Sequence, residues 1–247
     1  MERTAYKFSV VIPAHNEEAY IDKCLRGICK AAKHAAPDRV QIIVVANRCT
    51  DRTAQIAKRY GALVIENDDR HISRIRNAGA KAAEGEILVT IDADSVMTEY
   101  ALCEIREKLA SKKYIGGGAN PKFERMSPGI ACSGAYILLH LLPRMIRAGA
   151  FLSGGMFWCK KADFDRIGGF DPKLVSMEDM DFAERLCRYG KALHKKYGTL
   201  KRSHIVTSAR KFDALGDWYL LKNRQLTKRI FTGKDRDAAN QFYYDIR

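Results

Sequence analysis

Glu86-Ile-Leu-Val-Thr-Ile-Asp92-Ala-Asp94-Ser95 is the stretch whose reading decides the fold. From Ile87 to Ile91 it is a nearly unbroken apolar run, mostly β-branched, as expected of a strand buried on both faces inside a parallel sheet. The run stops at two carboxylates spaced i, i+2. In an open α/β sheet, ligands bind just beyond the carboxyl ends of the strands. Two hard oxygen donors at that place can hold Mg²⁺ or Mn²⁺ and leave positions free for phosphate oxygens and water. The plain alternative is that Asp92 and Asp94 cap the next helix and face solvent. The strand in front of them favours a site.

Upstream, the same kind of strand recurs. Phe8 to Ile12 runs into Pro13-Ala-His-Asn-Glu-Glu18, where Pro13 is expected to stop the ladder and Asn16 to cap a helix with Glu17 and Glu18 in its first turn. Ile21, Leu25, Ile28, Cys29 and Ala32 then recur at helical spacing. Val40 to Ala46 reads as a second strand, and Asn47-Arg-Cys-Thr-Asp51 as a polar turn into a helix stopped at Gly61. Leu63 to Ile65 is a short third strand, and His71 to Ala83 a helix leading back to the opening stretch. This alternation implies an α/β fold with a mostly parallel, doubly wound sheet and right-handed crossovers. No dinucleotide glycine fingerprint follows the first strand, and no phosphate-binding P-loop is present.

The second half is less regular. A helix is expected near Glu99 to Leu109, then Tyr114-Ile-Gly-Gly-Gly118, an ambiguous apolar middle from Ile130 to Phe157, and a short helix and glycine turn from Ala162 to Asp171. Within that middle, Ile130 to Leu142 is apolar for only 13 residues, short of the roughly 20 needed to cross a bilayer. Ser176 to Leu186 opens another helix. Ser176 and Asp179 resemble a capping box, yet Glu178, Asp179 and Asp181 place more charge in one turn than a cap requires. A carboxylate held at a helix N-terminus is well placed to accept a proton from a hydroxyl.

The 247 residues suit one α/β domain. The 43 basic against 29 acidic residues give a net charge of +14, which suits nucleic acid, an anionic membrane surface or phosphate-bearing substrates. The excess is concentrated at the end, with 14 basic and 5 acidic residues from Lys191 onward. Seven cysteines without a C-x-x-C pair argue against a disulfide framework or zinc site and for a reducing compartment.

Four segments then stand in order: VVIPAHNEE at 10–18, NRCTDRT at 47–53, RNAGAKAAEGEILVTIDAD at 76–94, and SGGMFWCKKADFDRIGGFDPKLVSMEDMDFAERL at 153–186. Together they resemble a family 2 glycosyltransferase of the GT-A fold, over about Phe8 to Tyr189. The resemblance implies one GT-A domain over 1–205, with a nucleotide-binding half at 1–95 and an acceptor half at 96–205. A basic helical extension covers 206–247. It implies inverting transfer of a sugar from a nucleotide-sugar donor, UDP-sugar by default, to an acceptor hydroxyl, assisted by Mg²⁺ or Mn²⁺. By position, Pro13, Ala14, His15 and Glu17 would line the nucleotide and Asn47 would meet the base. Asp92 and Ala93 would lie on the ribose or uracil side, with Asp94 on the metal and Asp92 beside it. Gly154 and Gly155 would let the backbone approach the donor sugar or acceptor. Asp179, next to Glu178, would be the general base. Similarity of the tail to a subset of the family makes His204 a candidate metal ligand and Arg210 a diphosphate contact.

The chain departs from the pattern at Ala46 and Asn47, where two aspartates or Asp-Asn are common, and at Arg48 and Arg52, where glycine is. Arg70, His71 and Arg74 are alternatives for a basic residue often found before Arg76-Asn77. Trp218, Leu221, Gln225 and Ile230 lie near one stripe of a basic helix that either packs on the domain or rests on anionic lipid. A cytoplasmic enzyme, with a peripheral place at the membrane as an option, is the expectation. The competing functions are nucleotidyl transfer on the same fold and a non-catalytic basic binding module. No nucleic-acid motif supports the latter, so no nucleic-acid partner is expected.

Overall fold

In the computed structural model, residues 5–150, 154–233, 235 and 237 are described. Ser153 and the end of the basic extension lie outside them. The first half alternates as its apolar runs dictate: β1 (Phe8–Ala14), α1 (Ile21–His34), β2 (Val40–Asn47), α2 (Thr53–Arg59), β3 (Leu63–Asn67), α3 (Ile72–Lys81) and β4 (Ile87–Thr90). Then follow β5 (Ser95–Met97), α4 (Ala101–Ala110), β6 (Tyr114–Phe123), α5 (Pro128–Ala148), β7 (Phe157–Lys160), α6 (Lys161–Arg166), α7 (Glu178–Ala192) and β8 (Lys196–Thr207). Three short helices close the described chain, α8 (Arg210–Leu215), α9 (Tyr219–Lys222) and α10 (Arg224–Phe231).

One eight-stranded sheet runs in the order β3-β2-β1-β4-β7-β6-β8-β5. The pairs among β3, β2, β1 and β4 are parallel. β7 is antiparallel to both β4 and β6, β8 runs parallel to β6, and β5 is antiparallel to β8. Successive side chains of β1 alternate between two cores, because a strand's residues point to opposite faces. Val10 and Ile12 join α1 and α4 residues such as Leu25 and Ile105, whereas Val11 joins Ile75, Phe157, Phe170 and Phe182. The glycines of β6 let Trp158 bury fully. A Cβ on Gly117 would lie 1.8 Å from the Gly198 carbonyl oxygen, and the Trp158 indole donates to the Gly118 carbonyl at 3.0 Å.

Several local expectations are corrected. Pro13 does not end the ladder, since it stays in β1 opposite Val45 and the strand runs on to Ala14. Asn16 is not a helix cap. It sits at φ 51 and its side chain accepts from the Thr50 amide at 2.8 Å, so α1 begins only at Ile21. Ser176 is not a cap either, because its hydroxyl donates to the Ile230 carbonyl at 2.8 Å. The apolar middle is longer than it reads: α5 has 21 residues, continues through Pro143, and is long and apolar enough to cross a membrane by length and composition. In place of one basic helix from Asp217 to Phe231 stand two short ones divided at Asn223, with Leu220, Leu226, Thr227 and Ile230 turned inward. Trp218 is left half exposed.

Candidate active site

The carboxyl ends of β1, β2 and β4 open onto one cleft. It lies at the switch point of the sheet, where the chain passes from building outward through β2 and β3 to adding β4 on the other side of β1. Pro13, Ala14, His15 and Glu17 line it from the end of β1, Asn47 from β2, and Asp92, Ala93 and Asp94 from β4. Gly155 enters from the segment before β7, and Glu178 and Asp179 from the start of α7. Residues as far apart in the chain as Pro13 and Lys211 thus share one space.

Each aspartate after β4 meets a guanidinium. Arg76, buried on α3, donates to Asp92 at 2.7 Å, stands 3.8 Å from Glu178 and lies over the Phe170 ring. Burial works against the Arg76 charge, but Asp92, Glu178 and Asp179 more than offset that and hold it firmly protonated. Arg210, from the start of α8, grips Glu17 through two bonds of 2.7 Å and reaches Asp94 at 2.9 Å. Glu17 is itself buried, so this fork ties the loop after β1 to the far end of the chain.

Gly155 is set by two demands at once. Its φ is +84, and a Cβ there would stand 2.2 Å from the Asp92 carboxylate. Gly154, at φ +54, packs against Pro121 and is not in the cleft lining. His15 donates through Nδ1 to the Asn47 carbonyl at 2.7 Å. The Asn47 amide nitrogen donates to Asn67 and to the Asp69 carbonyl, so it pins the ends of β2 and β3 together.

The start of α7 differs. Glu178 is buried, and its carboxyl is pushed up to about 7, first by burial and then by repulsion from Asp179. Asp179 is half-buried, and its carboxylate accepts from the Met180 amide at 2.7 Å. It therefore faces the cleft in an oriented form at a helix N-terminus.

His204 is placed elsewhere. Its amide and carbonyl both meet Thr98, whereas the Asp94 carbonyl accepts from the amide of Ser208, four residues further on and just past the end of β8. That offset is about 13 Å of strand. Burial and the nearby Lys122 hold its imidazole below the usual histidine range. The structure does not bring His204 to Asp94, and it is dropped from the candidate ligand set. Among the described residues, no three His, Cys, Asp or Glu side chains cluster as a metal cage. Arg52 pairs with Glu18 away from the cleft, and Arg74 with Asp69.

Arg76 and Lys211 are the functional-site residues that reading the sequence passed over. For Arg76 a signal existed: Ile72, Ile75, Arg76, Gly79 and Ala80 share one helical face, so a charge stands among inward positions. Lys211 carried none, because only the tertiary fold returns α8 to the cleft.

Residues 9–130 match the sequence profile of the family described as Glycosyl transferase family 2. The chain belongs to this family. It is 27% identical over 193 residues to the poly(ribitol-phosphate) beta-N-acetylglucosaminyltransferase TarS of Staphylococcus aureus, covering 71% of this chain and 31% of that protein. It is 25% identical over 202 residues to the probable glycosyltransferase YdaM of Bacillus subtilis, covering 74% of this chain and 47% of that protein. The chain thus spans less than half the length of these curated relatives. Among solved structures, S. aureus TarS residues 1–349 in complex with UDP-GlcNAc superposes with a TM-score of 0.62 at 18% identity, over 97% of this chain and 71% of that one. Glucosyl-3-phosphoglycerate synthase from Mycobacterium tuberculosis, in complex with Mn²⁺, UDP and phosphoglyceric acid, superposes at 0.60 with 17% identity, over 93% and 78%. The fold of this family 2 chain is GT-A.

Proposed function

We propose that this family 2 domain transfers a sugar from a UDP-sugar to an acceptor hydroxyl with inversion, and that Asp179 is the general base. The observation that carries the reading is the single cleft shared by the aspartates after β4 and by Asp179 at the start of α7. Solved neighbours bound to UDP and UDP-GlcNAc support the choice of nucleotide.

In the proposed step the acceptor oxygen attacks the anomeric carbon from the side opposite the diphosphate. Its proton passes to the Asp179 carboxylate, and the bond to the diphosphate breaks with both electrons going to the leaving oxygen. Burial and the neighbouring Asp179 push the Glu178 carboxyl up to about 7, so near neutrality it exchanges a proton beside Asp179. Arg76 keeps Asp92 in place, and Gly155 lets the backbone close on it. Arg210, between Glu17 and Asp94, is a fixed cation that can face the departing diphosphate.

A divalent cation fits the donor set. Mg²⁺ is commonly held by one or two carboxylates together with substrate phosphates rather than by an all-protein cage. Asp94 lines the cleft and supplies one such carboxylate, with Asp92 beside it. The cation would neutralise charge developing on the diphosphate.

Melting curves with UDP, GDP, CDP and their sugars, each with and without Mn²⁺, test the nucleotide. Specific binding raises the midpoint by mass action. A rise confined to uridine compounds is expected, and a rise confined to another base, or none at all, overturns the assignment.

A further inference from the structure

Among the described residues, the outward side of α5 is an apolar surface without a use in the cleft. Ala131, Ala135, Leu138, Leu139, Leu142 and Ile146 recur at helical spacing along it and share that side. Leu139 and Ile146 are each 68% exposed and Leu138 is 45% exposed. No charged side chain interrupts this stripe, and α5 contains no acidic residue at all. A water-facing helix of a globular domain ordinarily shows the reverse pattern.

The other side of α5 is fixed to the domain. Ser133 donates to the Asp217 carbonyl at 3.0 Å, Leu141 and Met145 pack with Met177 and Met180, and Arg144 pairs with Glu184. A helix tied along its length to polar partners of its own domain is built to lie on a boundary rather than to pass through it. Its surroundings are basic. Arg147 is exposed in its last turn, and α10, which meets α5 through Phe231 and His140, exposes Arg224 and Lys228.

We propose that the outward side of α5 seats on a bilayer surface carrying anionic headgroups. The apolar side chains enter the boundary between headgroups and acyl chains, and Arg147, Arg224 and Lys228 meet lipid phosphates at the margin. The charge decides between lipid and an apolar protein patch, since a chain of +14, with Arg147 exposed in the last turn of α5 and no acidic residue in that helix, matches an anionic surface. Met177 belongs both to the packing under α5 and to the cleft lining, so docking also holds the cleft near the lipid.

The test is flotation of the full chain with vesicles of phosphatidylcholine alone and of phosphatidylcholine mixed with phosphatidylglycerol. Wild type should float with the anionic vesicles. L139Q/I146Q should bind them at least about tenfold less, given the transfer cost of two exposed apolar side chains. R147E/K228E should bind less at low salt and resemble wild type at high salt, where headgroup attraction is screened. Both variants alter exposed side chains, and an unchanged melting temperature and UDP-induced shift confirm that each is folded. Vesicle binding needs no donor, so its failure is separate from a failure of the transfer reading. Equal flotation of wild type and L139Q/I146Q overturns the proposal. So does absence from all vesicles, whether or not sedimentation shows a dimer that L139Q/I146Q dissolves.

Discussion

Two acidic pairs line the same cleft in opposite surroundings. Asp92 and Asp94 follow a strand, and each has a guanidinium within hydrogen-bond reach, Arg76 for one and Arg210 for the other. Glu178 and Asp179 open a helix, sit next to one another, and have Arg76 only at 3.8 Å from the buried member. The first pair is compensated charge by charge. The second is crowded, and its buried member is pushed up to about 7. Carboxylates thus stand paired with cations in one place and crowded against each other in the other, and the difference lies in neighbours contributed by remote parts of the chain.

The sharpest way to break this contrast is Asp179→Asn. If the second pair handles the proton, turnover of a UDP-sugar, with water or acceptor as nucleophile, should fall about 10²–10⁴-fold. UDP affinity, measured by calorimetry, should hold. A proportionate loss of both would make the two pairs one functional unit.

Arg76→Ala removes the group that the pairs share. It leaves Asp92 and the buried Glu178 without their cation, and urea unfolding should show a loss of about 3 kcal/mol, the low end for a broken buried pair because Glu178 can take up a proton. Gly155→Ala disturbs the first pair alone. Strain at φ +84 and the collision with Asp92 should cost about 1–3 kcal/mol in the same assay, with weaker UDP binding.

A further effect concerns pH. Glu178 has a folded-state pKa raised to about 7 above an ordinary carboxyl value, so the folded chain holds the extra proton between the two. Its contribution to stability is complete below the unfolded pKa and is lost as pH rises through about 7. The slope reaches at most about 1.4 kcal/mol per pH unit. Glu178→Gln should remove that decline from the pH series of melting curves.

The parallel half was legible because its central strands β1 and β4 are buried on both faces and β2 nearly so, as the apolar runs Val10-Val-Ile12 and Ile42-Ile-Val-Val45 require. The two carboxylates just beyond β4 then marked the cleft. The local caps misled for a reason of the same kind. Asn16 and Ser176 have side chains suited to capping, but each finds a partner across the fold, at Thr50 and Ile230. Tertiary hydrogen bonds outcompeted the nearby helix ends. The length of α5 was hidden by His140 and Pro143, which read as interruptions in a one-dimensional pattern, although one side of the helix packs on the domain and tolerates them. Arg210 was read as a phosphate contact on resemblance alone. Its grip on Glu17, 193 residues away, comes only from the return of the chain to the cleft.

The most direct test is UDP binding by calorimetry, with and without Mn²⁺, for wild type, Asp94→Ala and Asp179→Asn side by side. The account predicts that Mn²⁺ tightens binding to wild type and Asp179→Asn by about tenfold or more, roughly 1.4 kcal/mol, and leaves Asp94→Ala unmoved. Equal Mn²⁺ dependence in all three proteins would contradict it.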